Sequence, residues 1–336
     1  MNITTEPVFS ASPSRYDGNS MTFRKCGVSG LTLPSLSLGF WWNFGGIDPF
    51  RLSKEKVLYS FDNGIFCFDL ANNYGPPYGS AEETFGRIFN QALRPYRQEI
   101  VVTTKAGYDM WEGPNGRGSS RRMLIMSLEQ SLKRMNLDYV DIFYSHRYDE
   151  TVPVEETMMA LCDIVRHGKA IYVGLSNYPA DKLKEALNIL RENKVPVVIY
   201  QGRHNLFARE NEKDIIGILR ENGLGYTPFS PLAKGLLSNK YLDGIPEDSR
   251  ASLGKHFDTG AINPDTLDRL QRLNDLARDR GQSLAQMAVS WLLSWKETTS
   301  VIIGPRTMEQ LKDTLPAVHK ASFSHEEIQL INSLTI

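Results

Sequence analysis

The chain has 336 residues, 41% of them hydrophobic, with 38 Lys and Arg against 39 Asp and Glu for a net charge of −1. So even a balance excludes the strong overall field with which proteins hold nucleic acid or an acidic membrane, and the length supplies one large domain or two medium ones. No apolar run approaches the roughly 20 residues of a membrane span, and residues 1–20 lack the basic start and apolar core of a secretory signal.

Residues 1–20 are polar and turn-rich and read as a plain N-terminal tail. Met21 to Leu33 reads as a short hairpin turning at Gly27-Val28-Ser29-Gly30. Eight short apolar runs follow: Leu36–Gly39, Ile65–Asp69, Ile100–Lys105, Val140–Tyr144, Ala170–Leu175, Val197–Tyr200, Gly225–Phe229 and Ser300–Ile303. Segments of helical period lie between them, at 53–63, 80–93, 119–136, 154–167, 179–193, 209–222, 264–280 with 284–295, and 307–318. Asn63-Gly64, His167-Gly168 and Asn222-Gly223 sit where a C′ glycine closes a helix, and Asn263-Pro264 fits an N-cap followed by Pro.

Eight strands alternating with helices predict a closed parallel (β/α)8 barrel of the TIM type, with an N-terminal hairpin and extra C-terminal helices. The competing doubly wound sheet needs fewer strands and often a Gly-rich first turn, whereas the first strand here runs into Gly39-Phe40-Trp41-Trp42. No linker or composition shift divides 21–336, so that span is expected to be a single domain. Two long connections, 106–118 and 230–263, are of the length that covers sites. Cys26, Cys67 and Cys162 are far apart and fit neither a disulfide framework nor a zinc site, which points to a reduced cytoplasmic compartment.

In such a barrel, chemistry sits at the C-terminal ends of the strands. Polar residues stand there in succession: Asp69, Lys105, His146, Ser176-Asn177, Gln201, Phe229-Ser230 and Gly304. Singly, each has a plain reading. A lone Lys is a solvated loop cation, a lone His packs, and Asp69 caps a turn. Together they converge on one face, with Tyr74 on the adjoining loop. A Lys between a carboxylate and a phenol favours tyrosinate, lowering a pKa otherwise near 10.

The order Asp69, Tyr74, Lys105, His146 resembles the catalytic tetrad of the aldo-keto reductase superfamily, and the likeness covers nearly all of 21–336. Asp69-Leu70-Ala71-Asn72-Asn73-Tyr74-Gly75-Pro76-Pro77, Thr104-Lys105-Ala106-Gly107-Tyr108 and Tyr144-Ser145-His146-Arg147 are similar to the bacterial L-glyceraldehyde 3-phosphate reductase branch, itself similar to the potassium-channel β subunits. The resemblance implies reduction of small aldehydes such as L-glyceraldehyde 3-phosphate or methylglyoxal by NADPH, with Tyr74 as general acid and no metal. It implies that Ser176, Asn177 and Gln201 hold the nicotinamide amide and that Phe229 stacks on its ring. Ser230, Leu232, Gly235 and Lys240 would lie in a loop over the pyrophosphate, with Arg250 a basic phosphate contact. Gly304 and Arg306 would open the last helix toward a phosphate, and Gln310, Asp313 and Thr314 would face the adenosine.

Trp41 matches a tryptophan lining the site, touching both cofactor and substrate, with a barrel-mouth plug as its plain alternative. Trp41, Tyr108 and Trp111 would roof a small substrate pocket, with Tyr74 and His146 at its base. Arg147, Arg203 and His204 lie just past strand ends, where they would meet a phosphate or pair at the surface. A regulatory subunit of the channel β type, sensing cofactor, is the alternative function; the channel subunits carry Asn where this chain has His146. A third reading, a cofactor-free sugar-phosphate enzyme, leaves Trp41, Phe229 and Ser176-Asn177 unexplained. The branch resemblance also implies a homo-oligomer, a tetramer or larger.

Overall fold

The expected hairpin forms from β1 (Phe23–Lys25) and β2 (Thr32–Pro34), antiparallel with Lys25 opposite Thr32. The computed structural model describes residues 9–241 and 263–335. Eight parallel strands follow: β3 (Leu36–Gly39), β4 (Cys67–Asp69), β5 (Val101–Ala106), β6 (Val140–Ser145), β7 (Ala170–Ser176), β8 (Val197–Arg203), β9 (Gly225–Phe229) and β10 (Val301–Ile303). Their order in the sheet is β10-β3-β4-β5-β6-β7-β8-β9, so each strand lies beside its predecessor and the last returns to the first.

The edge left between β9 and β10 is closed by the segment just ahead of β10. Tyr226 forms a parallel bridge with Thr298, and the Thr299 N–H donates to the Tyr226 carbonyl at 2.8 Å. The expected barrel is therefore the fold, but its seam runs through 297–299 and not along a ladder with β10. Closing the seam removes the two free edges that an open sheet would present.

Helices α1 (Phe50–Asp62), α2 (Ser80–Ile88), α3 (Arg121–Met135), α4 (Val154–Arg166), α5 (Ala180–Glu192), α6 (Ile215–Asn222), α7 (Pro264–Asp279), α8 (Leu284–Ser294), α9 (Met308–Thr314) and α10 (His325–Thr335) pack outside. Gly64 and Gly168, at φ 83° and 69°, close α1 and α4, as their places in the sequence predict. Asn263 caps α7 by accepting from the Thr266 N–H, with Pro264 at the first turn. Three expected helices are interrupted. The 80–93 segment passes into a π-turn at Phe89–Leu93, and 209–222 breaks into a 3-10 turn at Glu210–Glu212 before α6. The 307–318 segment tightens to 3-10 geometry at Leu315–His319, where Pro316 has no N–H to give. Helix α10 lies beyond the last helical segment expected.

Side chains alternate across the sheet. On β5, Val102 faces the helices in the outer core, whereas Val101 faces the barrel interior with Cys67, Ile142, Tyr144 and Ile199. Cys26 and Leu33 of the hairpin join that inner cluster, and the Cys26 thiol contacts the Val198 carbonyl at 3.2 Å. The hairpin is thus a floor to the barrel, leaving the opposite, C-terminal end as the open one. Part of the expected tail is fastened down as well: the Ser12 N–H donates to Asp62 and Arg15 pairs with Glu99.

Candidate active site

The chain leaving β4 does not break away at Asp69. It continues the ladder along β5, with the Leu70 N–H donating to the Thr103 carbonyl at 2.9 Å and the Asn72 N–H to the Lys105 carbonyl at 3.0 Å. The Tyr74 carbonyl then accepts from the N–H groups of Gly79 (3.2 Å) and Ala81 (3.3 Å) at the start of α2. Gly75 makes the turn possible at φ 124°; a Cβ there would sit 2.2 Å from Ser80 Oγ. The outcome is a phenol held over Lys105.

Lys105 Nζ donates to Asp69 Oδ2 at 2.7 Å, to the Leu70 carbonyl at 2.6 Å and to Tyr74 Oη at 3.3 Å. An ammonium has three hydrogens, and all three are used. Asp69 Oδ1 accepts from Thr103 Oγ1 at 2.8 Å and from Gln201 Nε2 at 3.0 Å, so the buried carboxylate is bonded through both oxygens. Because Tyr74 Oη accepts from Lys105, its own hydrogen is left to donate elsewhere. The His146 ring stands edge-on to Tyr74, centroids 5.8 Å apart, with its Nδ1 buried and lacking any partner among the described residues.

Burial decides the proton positions here. Burial pushes the Tyr74 phenol well above 10 and the Asp69 charge pushes it the same way, so the net direction in the free site runs against the lowering expected from Lys105. Lys105 lies closer to Asp69 than to Tyr74, so its field at the phenol is largely offset. Burial also lowers the Lys105 ammonium, against the pull of Asp69. His146 is held well below 6.5, by burial first and then by the charges of Lys105 and Arg147, so its ring is neutral.

Thr103 was not among the residues expected at the site. The signal was present, since Thr103 stands two before Lys105 and alternation puts both on one face. Lys105 and Gln201 also lie inside their strands, which run on to Ala106 and Arg203.

The residues expected around a cofactor fall into three groups. Ser176, Asn177, Gln201, Phe229 and Ser230 ring the open end at β7, β8 and β9. Asn177, at φ 53°, donates to the His146 carbonyl at 3.1 Å, and the Gln201 amide is engaged with Asp69. After β9 the chain folds tightly through Leu232 into Ala233–Gly235, with Ser230, Ala233 and Lys234 all at positive φ. Lys240 follows in a 3-10 turn at Asn239–Tyr241, while Arg250 lies outside the described residues.

The third group follows β10. Gly304 and Arg306 are exposed, and Arg306 and Thr307 line a cleft of about 290 Å³ with Asn43, Asp48, Pro49 and Leu52. Gln310 Oε1 accepts from the Arg306 N–H at 2.8 Å, fixing the turn into α9. Asp313 is bonded to Ser283 Oγ (2.9 Å) and Gln286 (3.0 Å) at the start of α8, and Thr314 Oγ1 turns back to the Gln310 carbonyl at 2.8 Å.

Of the expected roof, Trp41 and Trp111 are 40% and 43% exposed. Tyr108 lies deeper, edge-on to the His146 ring at 4.6 Å.

The aldo/keto reductase family model matches residues 35–336. The chain is 48% identical to L-glyceraldehyde 3-phosphate reductase of Escherichia coli (strain K12) over 330 residues, 97% of this chain and 95% of that protein. It is 37% identical over 308 residues to a probable voltage-gated potassium channel subunit beta of Oryza sativa subsp. japonica, covering 89% of this chain and 91% of the relative.

Proposed function

This chain belongs to the aldo/keto reductase family, and from that membership we propose that it reduces small aldehydes to alcohols with NADPH, Tyr74 giving the proton. The observation that carries the reading is the saturation of Lys105. Its three hydrogens bind Asp69, the Leu70 carbonyl and Tyr74 Oη, so the phenol hydrogen is the one left to give. A carbonyl oxygen seated between Tyr74 and His146 would take a hydrogen bond from each. Neutral His146 orients it, and the Tyr74 proton moves onto it. Lys105, across 3.3 Å, stabilises the tyrosinate left behind. When bound, the nicotinamide supplies the hydride to the carbonyl carbon.

The residues present fit that group. Four non-glycine residues at positive φ, Asn177 just after β7 and Ser230, Ala233 and Lys234 in the turn after β9, lie on the loops at the open end, where strained backbone is used at ligand sites. We assign Ser176, Asn177, Gln201 and Phe229 to the nicotinamide side and the Ser230–Lys240 turn, with Trp41, to its flank. Arg306 and its cleft we assign to the 2′-phosphate side, with Gly304 and Gln310 at that turn, and Gln310, Asp313 and Thr314 to the adenosine side. The exposed tryptophans Trp41 and Trp111 and the likeness to the bacterial reductases support L-glyceraldehyde 3-phosphate and methylglyoxal as substrates. Branch resemblance supports a tetramer or larger, which light scattering tests. Three free, buried cysteines support a cytoplasmic setting, and among the described residues no helix is long and apolar enough to cross a membrane.

A panel of aldehydes with NADPH, followed at the nicotinamide absorbance, tests the reading. Highest kcat/KM for glyceraldehyde 3-phosphate or methylglyoxal is expected; highest for a steroid ketone would sink the substrate class.

A further inference from the structure

Three groups at or just past strand ends carry, or can carry, positive charge: Arg147, Arg203 and His204. Two are taken. Arg203 is exposed and pairs with Glu210 at 3.3 Å. His204 is buried behind the sheet and bonds Glu212 at 2.9 Å, which in turn is held by Arg209.

Arg147 differs. Its Nε donates to the Gly107 carbonyl at 3.0 Å, and its guanidinium carbon stands 4.6 Å above the centre of the Tyr108 ring. Tyr108 meets the His146 ring edge-on, also at 4.6 Å. The guanidinium is therefore held two ring spacings from the group proposed to orient the carbonyl. Among the described residues it has no carboxylate at ion-pair distance. Asp149, whose carboxyl the Arg147 charge helps to lower, stays beyond that distance and bonds the Ser119 N–H through Oδ2 and Thr151 through Oδ1. Nη1 and Nη2 so remain without a protein acceptor among the described residues, while Nε and the ring face fix their plane. A half-buried guanidinium, oriented and left with its fork open, is suited to a bidentate anion.

We infer that Arg147 is the substrate-anion anchor, binding a phosphate or carboxylate at the far end of a three-carbon aldehyde whose carbonyl lies between Tyr74 and His146. The inference rests on the reductase reading and adds the residue that selects charged over uncharged substrates. It also explains the stack, since Tyr108 separates carbonyl end from anion end by one ring.

The test compares wild type with Arg147→Met and Arg147→Lys on glyceraldehyde 3-phosphate and glyceraldehyde. Arg147→Met should lower the ratio of their kcat/KM values by about 10- to 100-fold, the range for one charge-assisted pair. Arg147→Lys, which keeps charge without the fork, should fall between. An unchanged ratio, with both substrates losing equally, would show that Arg147 only props Gly107 and Tyr108, and would overturn the inference. In parallel, glycerol 3-phosphate and glycerol are titrated calorimetrically into protein saturated with NADP+. Weaker glycerol 3-phosphate binding to Arg147→Met by tenfold or more supports the anchor, and equal affinity overturns it. A wild type that reduces neither aldehyde sinks the reductase reading, while the titration still decides the role of Arg147.

Discussion

Lys105 Nζ is bonded to Asp69 Oδ2 at 2.7 Å, and both side chains are shut away from solvent. Neither charge is tolerable there alone. Lys105→Met should therefore remove catalysis and also destabilise the fold, by about 3–5 kcal/mol, the usual cost of stranding one partner of a buried pair. Urea unfolding of mutant and wild type measures this through the midpoint at constant slope. A loss under about 1 kcal/mol would show that Asp69 does not depend on its partner.

With Tyr74 as the proposed proton donor, its raised pKa should set the pH profile of reduction. A general acid works in its protonated form, so a raised pKa extends activity upward in pH. We expect log kcat/KM to stay level from about pH 6 to about pH 9, within the range below an unperturbed phenol. A fall of unit slope beginning near neutral pH would show that Lys105 outweighs burial.

Neutral His146 has a consequence for stability. Its folded pKa is depressed while the unfolded chain takes a proton near 6.5, so its contribution is present above about pH 6.5 and lost as pH falls toward the folded value. Each unit in that window costs about 1.4 kcal/mol. His146→Asn should flatten the acid side of the stability curve, measured by urea unfolding at a series of pH values. An unchanged slope would mean that His146 is protonated in the fold.

We propose that cofactor choice turns on Arg306. Hydrogen bonds to a charged group contribute about 1.5–3 kcal/mol, so Arg306→Ala should weaken NADPH by about 10- to 100-fold and leave NADH almost unchanged. Fluorescence titration of both cofactors decides it. Equal losses, or none, would remove Arg306 from the 2′-phosphate.

Asp69, Lys105 and His146 were legible because each ends or nearly ends an apolar run, and barrel topology brings such ends together. Tyr74 was legible only through its loop motif; the ladder that carries Asn72 along β5 leaves no periodic trace. Thr103 was readable by alternation yet looked like an ordinary β-branched strand residue. The Tyr74 pKa direction was beyond reach, since it depends on how far Asp69 and burial outweigh one ammonium. The seam at 297–299 was hidden as well: it uses backbone groups, which any sequence supplies. Asp313 and Gln310 show the converse, polar residues whose side chains brace helix starts.

The proton donor is the centre of the account, and Tyr74→Phe tests it most directly. Single-turnover reduction of glyceraldehyde 3-phosphate by NADPH isolates the chemical step. The mutant should lose about 10²–10⁴ in that rate, the usual contribution of a general acid, while binding NADPH within about twofold of wild type. A mutant that keeps more than about half of the wild-type single-turnover rate would contradict the account and take Tyr74 out of the reaction.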